Sequence, residues 1–105
     1  MEEKERAARV AEMEAICNRC AVDTKALLGA LETWTKDLSD VRRLMRYYGS
    51  EEWEADRTAS DAGKLPAGMP CGVLGEDTVY DLYSDMRGAS LEMLTAALAW
   101  LKAEE

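Results

Sequence analysis

At 105 residues, with 48% hydrophobic and 32% charged side chains, the chain is long enough for one core and too apolar to be a disordered segment. Its formal charge of −8 repels phosphate backbones and no apolar run approaches the length of a bilayer span, so neither a nucleic-acid nor a membrane partner is expected. Residues 1–49 carry nine acidic and nine basic side chains, so the whole net charge lies from Ser50 onward, where twelve acidic residues face four basic ones.

The first residues, MEEKERAARV, never reach the apolar stretch of a secretory leader, which predicts a cytoplasmic location. From Val10 the spacing alternates three and four: Val10, Met13, Cys17, Cys20, Thr24, Leu27, Leu31, Trp34, Leu38, Val41, Met45 and Tyr48. That heptad seam holds phase without a proline and predicts one long helix over about 3–48. A helical hairpin is the alternative, because Thr33, Thr35, Asp37, Ser39 and Asp40 are weak helix formers clustered where a turn could fall. Arg42, Arg43 and Arg46 suit the negative end of the helix dipole, and Gly49 suits a left-handed cap.

Ser50 is placed to cap a short helix over about 50–57, with Glu51 and Glu52 in its first turn and Trp53 facing inward. The stretch 57–74 holds Pro66 and Pro70 with Gly63, Gly68 and Gly72, and reads as a loop. Gly75, Glu76 and Asp77 open a third helix, about 76–84, whose inward residues are Val79, Leu82, Tyr83 and Met86. Gly88 marks a joint, Ser84 or Asp85 caps the last helix, about 86–102, and Leu91, Leu94, Leu98 and Leu101 form its apolar face.

Nothing alternates with a period of two, so the expected fold is a single all-α domain without a sheet, a long N-terminal helix packed by two or three shorter ones. The leucine face is expected to cover about half of the seam. A helix of about 46 residues spans roughly 70 Å and the last one only about 25 Å, so part of the seam stays bare unless the long helix bends or pairs.

The blocks YYGSEEW (47–53), GKLP (63–66) and GVLGEDTVYDLY (72–83) resemble the family of small bacterial proteins known as domain of unknown function 4298. Members of that family typically carry Ser where this chain has Gly75, a change that weakens a helix cap by a few tenths of a kcal/mol. The resemblance implies a bacterial, cytoplasmic, helical protein and supplies no catalytic residue.

The cysteines are an odd three, Cys17, Cys20 and Cys71, which favours free thiols over a disulfide framework. Cys17 and Cys20 have CxxC spacing but fall mid-helix on the seam, where they read as small core residues. A structural zinc site needs four ligands, and the chain has no histidine. Asp77, Asp81 and Asp85 share one helical face and could hold a hard cation, although such ladders are more often solvated. Gly63-Lys64-Leu65 lacks both the upstream glycine and the following hydroxyl of a phosphate loop.

Without histidine, or a Ser or Cys beside a base, the inventory leans away from catalysis and calls for no cofactor. Two functions stay open. One is a protein interaction module that uses the bare seam to close a homodimer or receive a partner helix. The other is a small-ligand or divalent-metal module at an aromatic and acidic junction of Tyr47, Tyr48, Trp53, Asp56, Glu76, Asp77, Tyr80 and Asp81.

Overall fold

The computed structural model describes residues 1–103 as helix α1 (Glu2–Tyr47), helix α2 (Glu51–Asp61), a turn of 3-10 helix (Gly72–Leu74) and helix α3 (Thr78–Ala103). The fold is all-α with a long N-terminal helix, and no strand occurs among the described residues. The hairpin alternative is not formed. Helix α1 runs unbroken through the weak helix formers, with the Thr33 hydroxyl on Gly29 O at 3.2 Å and Lys36 paired with Glu32 at 3.3 Å one turn earlier.

The chain divides into two compact units, Met1–Asp40 and a second from Val41 onward. In the first unit every residue from Met1 to Ala30 is exposed, including Val10, Met13, Cys17, Cys20 and Leu27 of the seam, and only Leu31, Trp34 and Leu38 are half-buried. Cys17 and Cys20 are therefore not core residues. Their apolar neighbours share their exposure, so spacing alone did not reveal that this stretch lacks cover.

The core of the second unit is Trp53, Leu74 and Val79, of which Val79 is 1% exposed and Trp53 5%. Local rules place them. Gly49 takes the left-handed φ of 79° that ends α1, and Ser50 Oγ accepts a hydrogen bond from Trp53 N at 3.2 Å to start α2. That tight reversal turns Trp53 inward, as its spacing predicts.

Helix α2 runs to Asp61, four residues beyond the expected end at 57. Its C-terminus is closed by Gly63, with φ of 70°, while Gly63 N donates to Ser60 O at 3.0 Å and Lys64 N to Ala59 O at 2.9 Å. Such paired bonds satisfy the carbonyls of a last turn, so the helix stops where a left-handed glycine is available.

The two helices expected over 76–84 and 86–102 are one continuous α3, with Gly88, Ser84 and Asp85 inside it. A lone glycine costs about 1 kcal/mol relative to alanine but keeps its N–H in the ladder, which is cheaper than two new helix ends. Nor does Gly75 cap α3. It is extended and closes the 3-10 turn, with its N–H on Gly72 O at 3.1 Å, and a Cβ there would meet that carbonyl at 3.3 Å.

The buried face of α3 keeps Val79 and Met86 of the residues expected to face inward and differs in the rest. Val79 is buried and Met86, Ala89, Ser90 and Met93 are half-buried, whereas Leu82, Tyr83, Leu91, Leu94, Leu98 and Leu101 are exposed. At 3.6 residues per turn, the four leucines Leu91, Leu94, Leu98 and Leu101 are centred roughly 100° around the helix from the face formed by Val79, Met86, Ala89, Ser90 and Met93. The leucine stripe is therefore turned away from that face, and Leu94 is 62% exposed.

Candidate functional site

The aromatic junction begins with two consecutive tyrosines at the end of α1. Tyr48 meets Trp53 edge-on, with ring centroids 5.3 Å apart and planes at 71°, an arrangement that sets a ring's positive edge against its neighbour's face. Both polar tips then reach the segment before α3. Tyr48 Oη donates to Glu76 O at 2.6 Å and Trp53 Nε1 donates to Val73 O at 2.9 Å. Two backbone carbonyls without helical partners are thereby satisfied, and the turn at Gly72–Leu74 is held against α2.

Arg57 closes the other side. Its guanidinium carbon lies 5.3 Å from the Trp53 ring centre, and Nη2 pairs with Glu76 Oε1 at 3.1 Å. Glu76 thus receives Tyr48 on its carbonyl and Arg57 on its carboxylate. Tyr47 faces a different partner, donating to Asp56 Oδ2 at 2.6 Å. That hydrogen bond, assisted by desolvation and by the charges of Asp56 and Glu52, pushes the Tyr47 phenol up from 10.0 to about 12.

Of the residues anticipated at this junction, Tyr47, Tyr48, Trp53, Asp56 and Glu76 are drawn into these contacts. Asp77, Tyr80 and Asp81 are exposed, Tyr80 by 61%, and their side chains make no hydrogen bond or ion pair among the described residues. Asp77 contributes through its backbone instead, its carbonyl receiving Asp81 N at 2.7 Å in the first turn of α3.

Beside the junction the 62–71 segment folds over to leave a cavity of about 230 Å³, walled by Tyr47, Asp56, Leu65, Met69, Pro70, Cys71, Val73 and Leu74. It is smaller than the roughly 300–1,000 Å³ usual for ligand pockets. The Cys71 thiol donates to Met69 O at 3.3 Å, and no buried side-chain nitrogen or oxygen among the described residues lacks a partner. Sequence spacing missed Arg57, Val73 and the apolar loop residues. The only available signal was the recurrence of Leu65, Met69, Val73 and Leu74 in a stretch otherwise rich in Pro and Gly.

Among the described residues, no three Asp, Glu or Cys side chains gather as a cation-holding group, the Asp77, Asp81 and Asp85 ladder included. Among the described residues, no helix is long and apolar enough to cross a membrane.

The second candidate surface is on α1. Val10, Met13, Ile16, Leu27 and Leu28 are all exposed on a helix whose first thirty residues bury nothing, and Cys17 and Cys20 lie exposed between them. The family profile of Domain of unknown function (DUF4298) matches residues 10–96, from the start of that seam through the junction and most of α3. The chain belongs to the DUF4298 family. No curated protein and no solved structure matches it. The DUF4298 match thus takes in both candidate surfaces, while the first nine residues fall outside it.

Proposed function

We propose that this member of the DUF4298 family is a helical protein interaction module, cytoplasmic, that presents the apolar seam of α1 to another helix. One observation carries the reading: from Val10 to Leu27 the seam keeps heptad spacing, is apolar except at Thr24, and is wholly exposed. Burying one such aliphatic side chain is worth about 1.5–3 kcal/mol, so a facing helix has several side chains from which to draw affinity. A second exposed stripe, Leu91, Leu94, Leu98 and Leu101 on α3, supports the same kind of use.

The test is a photo-crosslinking amino acid placed at Met13 in the native host and, as control, at Gly29 on the opposite face of α1. Protein adducts at Met13 and none at Gly29 are expected. Equal yields at the two positions, or none at Met13, contradict the reading.

The cavity beside Tyr47 and Asp56 favours a second use, as a site for a small and mainly apolar molecule. A ligand that raises the melting temperature of the wild type, and not of a variant with Leu65→Trp filling the cavity, supports it.

A further inference from the structure

We infer that the partner of the α1 seam is a second copy of this chain, parallel and in register over Val10–Leu31. The inference rests on the interaction reading above and names the occupant. It comes from the residues that flank the seam. With Val10, Cys17, Thr24 and Leu31 at the first core position of each heptad and Met13, Cys20 and Leu27 at the second, the preceding edge holds Arg9, Ile16 and Asp23. The following edge holds Glu14, Ala21 and Leu28.

In a parallel in-register pair, each preceding-edge residue lies beside the following-edge residue five positions on in the other helix. Arg9 then meets Glu14 of the second copy, Ile16 meets Ala21 and Asp23 meets Leu28. The charge pair forms twice by symmetry, and no like charges meet. Reversing the partner about the Cys17–Cys20 turn sets Arg9 against Ala30, Glu14 against Ala21 and Asp23 against Ile16, so every charge faces an apolar side chain. Edges that bring Arg9 to Glu14 when parallel, and pair no charge when reversed, favour a two-fold pair of identical chains.

The core positions agree. Val10 at a first position with Leu27 at a second suits two strands, and Thr24 is the one hydroxyl in this part of the seam. Its Oγ1 already donates to Cys20 O at 2.7 Å, so the side chain can be covered without stranding a donor and presents its methyl to the partner.

Parallel pairing places Cys17 against Cys17 and Cys20 against Cys20 of the second copy. The reversed pairing places Cys17 against Cys20. The experiment is oxidation by diamide, which accepts the two electrons and two protons lost as two thiols become one disulfide. It is read by non-reducing electrophoresis on three full-length variants: Cys71→Ser alone, Cys71→Ser with Cys20→Ser, and Cys71→Ser with Cys17→Ser. Efficient linkage in all three is expected.

Linkage only where Cys17 and Cys20 are both retained shows a reversed pair and overturns the inference while leaving the interaction reading in place. No linkage in any variant also overturns it, and adducts to a different protein at Met13 would then keep the interaction reading alive. A charge swap gives an independent check. Arg9→Glu should raise the dimer dissociation constant about tenfold, and adding Glu14→Arg should restore it. If the double variant stays as weak as the single one, the edges do not pair as inferred.

Discussion

The first thirty residues and the stretch from Tyr47 to Val79 solve opposite problems. The former is regular and amphipathic, with no proline, and yet buries nothing; the latter is rich in Gly and Pro, and yet contains Trp53, Leu74 and Val79, the side chains buried among the described residues. Regular apolar spacing thus marks where a helix can be covered, not where this chain covers it. The tertiary fold is carried by bulky rings whose polar tips grip a turn, a few contacts of large area with satisfied ends.

If that contrast holds, Trp53→Ala should be the most damaging single change. Removing the ring loses its burial, the bond to Val73 O and the platform for Arg57, and should cost about 3–5 kcal/mol, measured by urea unfolding. Leu27→Lys, an equally drastic change on the bare seam, should shift the unfolding of dilute protein by less than about 0.5 kcal/mol. A comparable loss for the two variants would erase the distinction between the regions.

Tyr48→Phe is a finer cut. It keeps the ring against Trp53 and removes only the bond to Glu76 O, so a loss of about 1 kcal/mol is expected from the same unfolding curves.

Tyr47 offers a pH test. Its pKa in the folded chain is raised from 10.0 to about 12, so its stabilising bond is fully present below pH 10.0 and is lost as the pH rises through about 12. Ultraviolet titration should show the Tyr47 phenol ionising late, and Asp56→Asn should bring it back toward the ordinary value. Identical titration curves for the wild type and Asp56→Asn would contradict the Tyr47–Asp56 bond.

The smallest effect belongs to the helix interiors. Gly29 and Gly88 have open space where a Cβ would go, so alanine at either should stabilise by about 0.5–1 kcal/mol, seen as a higher melting temperature.

These same residues show what the sequence made legible. Gly49, Ser50 and Trp53 follow strong local rules, a left-handed cap, an N-cap and an inward ring, and each is found where spacing places it. Gly88 obeys a weak rule, because about 1 kcal/mol is easily overridden by continuous helix on both sides. The outward turn of Leu91, Leu94, Leu98 and Leu101 was not legible at all, because it follows from Val79 entering the core and fixing the rotation of α3.

At the junction, ring-bearing residues announced themselves by size. The acceptors Val73 O and Glu76 O did not, since a backbone carbonyl is the same at every position, and Arg57 was masked because α2 was expected to end at that residue.

Hydrogen exchange of the amides of residues 5–30 across a dilution series tests the central claim most directly, that a single chain leaves its α1 seam uncovered and association covers it. Strong protection at high concentration that fades on dilution, while the amides around Trp53 keep theirs throughout, is the predicted result. Protection of residues 5–30 that does not change with concentration would mean that the chain covers its own seam, and would contradict the account.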